Sequence, residues 1–229
     1  MIFSKIHRCW VEFFILATLI SVTTPIFWLT DLDQRIAAIF YQLDRSGINN
    51  WPWQHGWLLD NLFQYATIFT VTIAVCSLLI ALSAYVMPSL KVWQKPALFV
   101  VLVIALGPGL VINLIFKDHW GRPRPVHITE FGGQYAYVPP LKIGNTPDKS
   151  FPCGHCSVGF MFFALYFLSR KRKGLYFTLT MLFALMMAIT RMTAGGHFIS
   201  DILWSGYLVF FVTWLIYYGW YAKNGTSLS

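Results

Sequence analysis

Long apolar runs broken by short polar stretches dominate the chain. Six stand out, at about residues 10–29, 63–87, 97–116, 155–169, 175–190 and 198–221. The hydrocarbon core of a bilayer is ~30 Å thick and takes about 20 apolar residues to cross as a helix. The first three runs and the last meet that length; the fourth and fifth are short, and length alone leaves each open to being a span or a buried helix. Between them lies Arg170-Lys171-Arg172-Lys173, whose long side chains can snorkel and bring a short helix to the interface. The pattern predicts an all-α, six-helix transmembrane bundle forming one integral membrane domain over residues 1–229.

Composition removes the soluble alternative. With 57% hydrophobic, 18% aromatic and only 11% charged residues among 229, the chain has too little polar surface to coat a globule. The net charge of +8 comes from cations scattered among short loops, which argues against a nucleic acid partner and for a bilayer. Lys5 and Arg8 precede the first run as in a secretory signal, but no small-residue cleavage site follows, so an uncleaved first span is expected. Of the cysteines Cys9, Cys76, Cys153 and Cys156, only the last two are close enough to pair locally.

Six spans put both termini on one side. Placing them in the cytoplasm assigns nine cations to that side and eight to the other, and the compact 170–173 cluster in a very short loop decides for this orientation. The polar ends after residues 116 and 190 and before 155 and 198 then face outward, into a periplasm in a Gram-negative cell. Trp51-Pro52-Trp53 and Trp57 are expected as interfacial anchors. Residues 126–150, rich in Gly, Pro and Tyr, are expected to form an outer loop serving as a lid or headgroup reader, with Glu130, Lys142 and Lys149 as candidates for selectivity. The tail over 222–229 is expected to be disordered.

Three stretches at these outer ends carry chemistry. Residues 117–125 hold Lys117, Arg122 and Arg124, and Arg191 follows the fifth run. Phosphoryl transfer spreads charge over three non-bridging oxygens, and cations that match them supply most of the catalysis; arginine forks do so bidentately. Lys117, Arg124 and Arg191 make the natural clamp, with Arg122 a candidate support behind it that the sequence does not separate from Arg124. Cys153-Gly154-His155 precedes a helix, so Cys153 and Gly154 offer backbone N–H groups to an anion and His155 can protonate a leaving alcohol. His197 and Asp201 would share one face of a helix beginning near Gly196, the carboxylate accepting one ring proton and the other nitrogen acting as nucleophile. A satisfied core histidine is the bland alternative, but an ionisable trio with Arg191 at a span's edge is expensive unless used. Only His197 and Asp201 have zinc-like spacing and they lack a third ligand, so no metal or cofactor is expected.

Taken together, Lys117-x6-Arg124-Pro125, Pro152-Cys153-Gly154-His155 and Thr190-Arg191-x5-His197-x3-Asp201 resemble the type 2 phosphatidic acid phosphatase superfamily, whose motifs are K-x6-R-P, P-S-G-H and S-R-x5-H-x3-D. The resemblance implies a phosphohistidine intermediate on His197, oriented by Asp201, with His155 as general acid and Lys117, Arg124 and Arg191 holding phosphate. Thr190 in place of serine keeps a hydroxyl; Cys153 in place of serine does not, and a thiol is a weak donor, so slower chemistry is expected. The stretch Gly107-Pro108-Gly109 leading into residues 116–126, with a cysteine in the second motif, looks like the bacterial lipid A 4'-phosphatase branch, which works at the outer leaflet of the inner membrane. Other relatives of similar size act on phosphatidylglycerophosphate or undecaprenyl diphosphate. Depth agrees with a membrane lipid as substrate: at ~1.5 Å per residue, the helices reaching His155 and Arg191 from residues 170 and 173 cover only about 22 to 27 Å, placing the catalytic ends at the outer interface.

A different chemistry also fits one stretch. Cys153-Gly154-His155-Cys156 is a C-x-x-C at a helix start, as in membrane thiol-disulfide oxidoreductases. That reading leaves Lys117, Arg124, Arg191, His197 and Asp201 unexplained and lacks a second cysteine pair. An anion channel does not explain a carboxylate beside His197. Whether Cys153 and Cys156 form a disulfide that stiffens the phosphate loop stays open.

Overall fold

The structure, a computed structural model, describes residues 2–42, 51, 52 and 57–223. Helix α1 spans Ile2–Leu29, a short α2 spans Leu32–Ala38, and α3 spans Trp57–Ser83. A 3-10 turn at Pro88–Leu90 opens α4, Lys91–Ile104, which continues as a π-helix over Ala105–Lys117. Then follow α5, Gly154–Phe160; α6, Phe163–Leu168; α7, Lys173–Thr193; and α8, Ile199–Ile216, which ends in a π turn at Tyr217–Tyr221. The described residues contain no strand, only an isolated bridge between Ile128 and Tyr135.

Among the described residues, five segments are long and apolar enough to cross a membrane: Ile6–Leu29, Gln64–Ser83, Pro88–Lys117, Lys173–Thr193 and Ile199–Tyr221. The fifth apolar run is therefore not short; its helix extends through Lys173 and Arg191 at its two ends to 21 residues. The fourth run stays short, as Gly154–Leu168, and is broken after Phe160 into α5 and α6. It need not span alone, because α5 is enclosed by α3, α7, α8 and the π-helix, with every side chain from Cys156 to Phe160 buried.

Helix α8 is the axis of the bundle: 56% of its span is buried, against 11–33% for the other four. The outer helices show their apolar faces, Phe14 and Leu19 on α1, Val75 and Leu79 on α3, Leu182 and Leu185 on α7. Lipid tails are as apolar as these faces, so the helices associate by close packing rather than by the hydrophobic effect. Gly159 illustrates this, for a Cβ there would lie 2.6 Å from the Ala184 backbone of α7.

Polar bonds tie the end of the bundle that carries the 170–173 cluster. Glu12, buried inside α1, accepts from Arg8 Nε at 2.8 Å, the Tyr166 hydroxyl at 2.7 Å and the Tyr218 hydroxyl at 3.0 Å. Lys173 sits 4.8 Å over the Tyr166 ring. A carboxylate in a span needs such partners. Lys117, His155, Arg191 and His197 gather at the opposite end.

That opposite end is covered by residues 118–153, which hydrogen bonds tie to the bundle and to one another. Trp28 Nε1 donates to Pro140 O at 2.8 Å, Gly144 N to Trp120 O at 2.8 Å, Ser150 N to Arg122 O at 3.1 Å and Val126 N to Gly195 O at 3.1 Å. Trp51 is not a headgroup anchor: it is 3% exposed and packs on Phe131 and Tyr41. Its ring also covers Gly195, which has φ +63° and whose Cβ would lie 2.6 Å from the indole, so only glycine fits this turn. Trp53, the Trp57 side chain and the tail beyond residue 223 lie outside the described part of the chain.

Candidate active site

The π-helix delivers Lys117. Pro108 cannot donate an N–H, and its carbonyl accepts from Asn113 Nδ2 at 2.6 Å. A Cβ on Gly154 would lie 2.8 Å from Lys117 Nζ and 2.6 Å from Asn113 Oδ1, so the backbone of the second motif packs directly on the ammonium of the first. The third motif folds the same way: Gly196 N donates to Arg191 O at 3.0 Å, and a Cβ on Gly196 would lie 2.6 Å from Arg191 Nη2. His155 lies within electrostatic range of Arg191, Lys117, His197 and Arg124. Arg124 is oriented by its backbone N–H, which donates to Asp148 Oδ2 at 2.9 Å, while its Nε is buried with no hydrogen-bond partner among the described residues. A buried guanidinium N–H in that state is costly, and an anion would relieve it. Lys117, Arg124, His155 and Arg191 are half-buried around a common centre, with His197 and Asp201 buried behind them.

The histidine tautomer follows from one contact. His197 Nδ1 lies 2.6 Å from the Ser150 carbonyl oxygen. A carbonyl only accepts, so Nδ1 carries the proton and Nε2 keeps its lone pair. The expected hydrogen bond to Asp201 is not what holds the ring, since Asp201 Oδ2 stands 3.6 Å from Nδ1. That carboxylate oxygen accepts instead from Ser150 Oγ at 2.7 Å and from Phe198 N at 2.9 Å. The helical register assumed for the pair is also corrected. Phe198 is extended, with ψ 160°, and α8 starts only at Ile199, so His197 precedes the helix and the turn at Gly195 brings it back over Ser150. Burial, with repulsion from Arg191 and Lys117 added and attraction to Asp201 opposing, pushes the imidazole down to about 4. Its lone pair is therefore available at neutral pH and is lost only as pH falls toward that value.

Three other candidates lie outside the charged cluster, Arg122 in the supporting position expected as one possibility for it. Arg122 faces away from the clamp, fully buried between Asp33 and Asp201, so Arg124 is the arginine that meets the cluster. Thr190 Oγ1 donates to Met187 O at 2.7 Å within its own helix and does not reach the cluster. Cys153 does not offer itself to an anion: its sulfur is bonded to Cys156, and its N–H donates to Asp201 O at 3.3 Å. Gly154 remains as the backbone face of the second motif. Both bonded cysteines are fully buried in the core with Ile112 and Phe160, which denies a partner dithiol the access a redox relay needs. No cluster of three or more His, Cys, Asp or Glu side chains suited to a metal occurs among the described residues.

Sequence reasoning missed Ser150, Asn113 and Asp33. Asn113 had a signal, being a polar residue inside an apolar run one turn before Lys117. Ser150 acts through its carbonyl, which no side-chain motif reports. Asp33 sits in no motif.

Comparison with known proteins places these features. A profile of the PAP2 superfamily matches residues 96–225. The lipid A 4'-phosphatase of Francisella tularensis subsp. novicida is 34% identical over 199 residues, covering 85% of this chain and 88% of that protein. The lipid A 4'-phosphatase of Rhizobium etli is 32% identical over 120 residues, 49% of this chain and 46% of that one. A lipid A 1-phosphatase of Rhizobium etli is 32% identical over 111 residues, 48% and 44% of the two chains. In fold, the chain is similar to the crystal structure of a transmembrane PAP2-type phosphatidylglycerolphosphate phosphatase from Bacillus subtilis, with a TM-score of 0.51 and 21% identity over 95% of this chain and 96% of that one. The apolar helices and these bacterial relatives make it a bacterial multi-pass membrane protein. With three motifs folded into one cluster, a profile spanning most of the helical bundle and a relative matched nearly end to end, the chain belongs to the PAP2 superfamily.

Proposed function

We propose that the protein removes the 4'-phosphate of lipid A, through a phosphohistidine on His197, at the periplasmic face of the inner membrane with its termini in the cytoplasm. The observation that carries the chemistry is the meeting of three cations, Lys117, Arg124 and Arg191, with His155 and with a His197 whose Nδ1 proton is held by Ser150. The choice of lipid follows the Francisella relative, matched over 88% of its length.

Each step is then a local event. The cations hold the non-bridging oxygens, and His197 Nε2 attacks phosphorus as the ester oxygen leaves with a proton from His155. The ring, now carrying positive charge, is steadied by the Ser150 carbonyl and by the field of Asp201 3.6 Å away. Water next attacks the phosphohistidine, giving its proton to His155 and releasing phosphate. The outward orientation rests on the 170–173 cluster at the opposite end. A substrate held in the leaflet enters from the side, and the segment 126–150 is the candidate to read its sugar headgroup.

Purified protein in detergent is expected to release phosphate from lipid A far faster than from phosphatidylglycerophosphate, phosphatidic acid or undecaprenyl diphosphate, with mass spectrometry placing the loss at the 4' position. Release mainly from another lipid would overturn the substrate, and release from none would overturn the phosphatase reading. Activity is expected to persist in EDTA, and a loss restored by magnesium would count against a metal-free mechanism. Gly154→Ala should fold, because the new methyl meets only the far ends of Lys117 and Asn113. Displacing the ammonium by about 1 Å is expected to cost on the order of 100-fold in rate, measured as phosphate release at an unchanged thermal midpoint.

A further inference from the structure

Asp33 lies on α2, outside every motif, and is fully buried against the back of the cluster. Its Oδ1 accepts from Ser200 N at 3.0 Å. Its Oδ2 accepts from Arg122 Nη2 at 2.8 Å, the Tyr137 hydroxyl at 2.8 Å and Ser200 Oγ at 2.5 Å. Arg122 is held on every side: Nε donates to Val138 O at 2.7 Å, Nη1 to Ser200 Oγ at 2.8 Å and to Asp201 Oδ1, and the guanidinium lies 4.8 Å over the Phe198 ring. Asp201 in turn holds Ser150, whose carbonyl fixes the His197 tautomer.

The chain of contacts thus runs Asp33, Arg122, Asp201, Ser150, His197, with the three charged members all 0% exposed. Two carboxylates around one guanidinium leave one net negative charge in a dry region next to the imidazole. Phosphoryl transfer to His197 puts positive charge on that ring, so the surplus anion favours the step most when charge has developed. With Asp33 neutral, Arg122 would pair with Asp201 alone and cancel its field. Asp33 also caps the first turn of α8 through Ser200 N, a structural task that would require no charge balance with Arg122.

We propose that Asp33 is a positioning residue of the phosphatase: it shares Arg122 with Asp201, so that Asp201 keeps its charge and its aim on the Ser150–His197 pair. The inference rests on the phosphatase reading, and the experiment separates the two. With wild-type enzyme active on lipid A in detergent, Asp33→Asn is expected to lower kcat about 10- to 100-fold with KM changed less than twofold, and single-turnover formation of the phosphoenzyme should slow by the same factor. Asp33→Glu should recover part of the rate. Wild-type kcat in Asp33→Asn overturns the proposal, as does a loss that appears in KM alone. Should Asp33→Asn not fold, Tyr137→Phe removes one hydrogen bond from the same carboxylate and is expected to lower kcat about threefold at constant KM; an unchanged kcat there overturns the proposal equally. A wild-type protein inactive on every phospholipid tested overturns the phosphatase reading instead.

Discussion

His197→Ala is expected to reduce phosphate release by on the order of 10⁴-fold or more and to abolish any covalent phosphoenzyme. The reason is specific to this geometry. Nδ1 is committed to the Ser150 carbonyl at 2.6 Å, so Nε2 is the ring's one free lone pair, and Lys117 and Arg191 lie close enough to act on the ring's charge. The neighbouring Asp201 carboxylate cannot replace it, being occupied by Arg122, Ser150 and Phe198 N. The loss should appear in kcat, because Lys117, Arg124 and Arg191 still bind the phosphate while the covalent step is gone. Removing the ring leaves the Ser150 carbonyl without its donor, which costs about 1–3 kcal/mol, so the thermal midpoint in detergent should fall modestly. The check is a rapid quench with lipid A carrying radiolabelled phosphate, run in alkali where a phosphohistidine survives. Label retained on the mutant protein, or turnover within tenfold of wild type, would remove His197 from the role of nucleophile.

Arg122→Met is expected to cause the largest loss of stability. Arg122 lies between two fully buried carboxylates, Asp33 and Asp201, with Ser200, Tyr137 and Val138 completing its contacts. Methionine matches its reach and can lie over Phe198, but it leaves two buried acids facing each other. Removing one partner from a buried ion pair costs about 3–5 kcal/mol because the remaining charge is uncompensated. The measurement is thermal unfolding in detergent together with the folded yield on size exclusion. Lysine at this position should fall between, because an ammonium cannot serve Asp33, Asp201 and the Val138 carbonyl in the planar fork that arginine provides. A wild-type midpoint for Arg122→Met would mean that the two acids are neutralised by other means.

These two residues also mark the boundary of what could be read before the fold was known. His197 was legible because its motif is local: Arg191, Gly195-Gly196, His197 and Asp201 lie within one turn and one helix end. Spacing alone therefore limits their possible arrangements. Even there the detail differed, since a helix beginning at Ile199 rather than near Gly196 handed the ring proton to Ser150. Arg122 was named but not placed, because Arg122 and Arg124 share charge, spacing and neighbours in sequence. Cys153 was assigned to the anion on the strength of the motif, whereas its sulfur and its N–H were both already engaged. Trp51 looked like an interface residue by composition and turned out to brace the Gly195 turn.

By itself the sequence determined the apolar helices, the end of the bundle at which the three motifs meet and the identity of the charged cluster, because hydropathy and motif spacing act over one helix or one turn. Only the tertiary structure decided which arginine meets the charged cluster, which atom holds the His197 proton and that Asp33 packs against Arg122. Those choices depend on contacts such as Asp33 to Arg122, separated by 89 residues, and Ser150 to His197, separated by 47. A buried charge takes whatever partner the packed helices bring within reach, and the distance along the chain does not enter that energy.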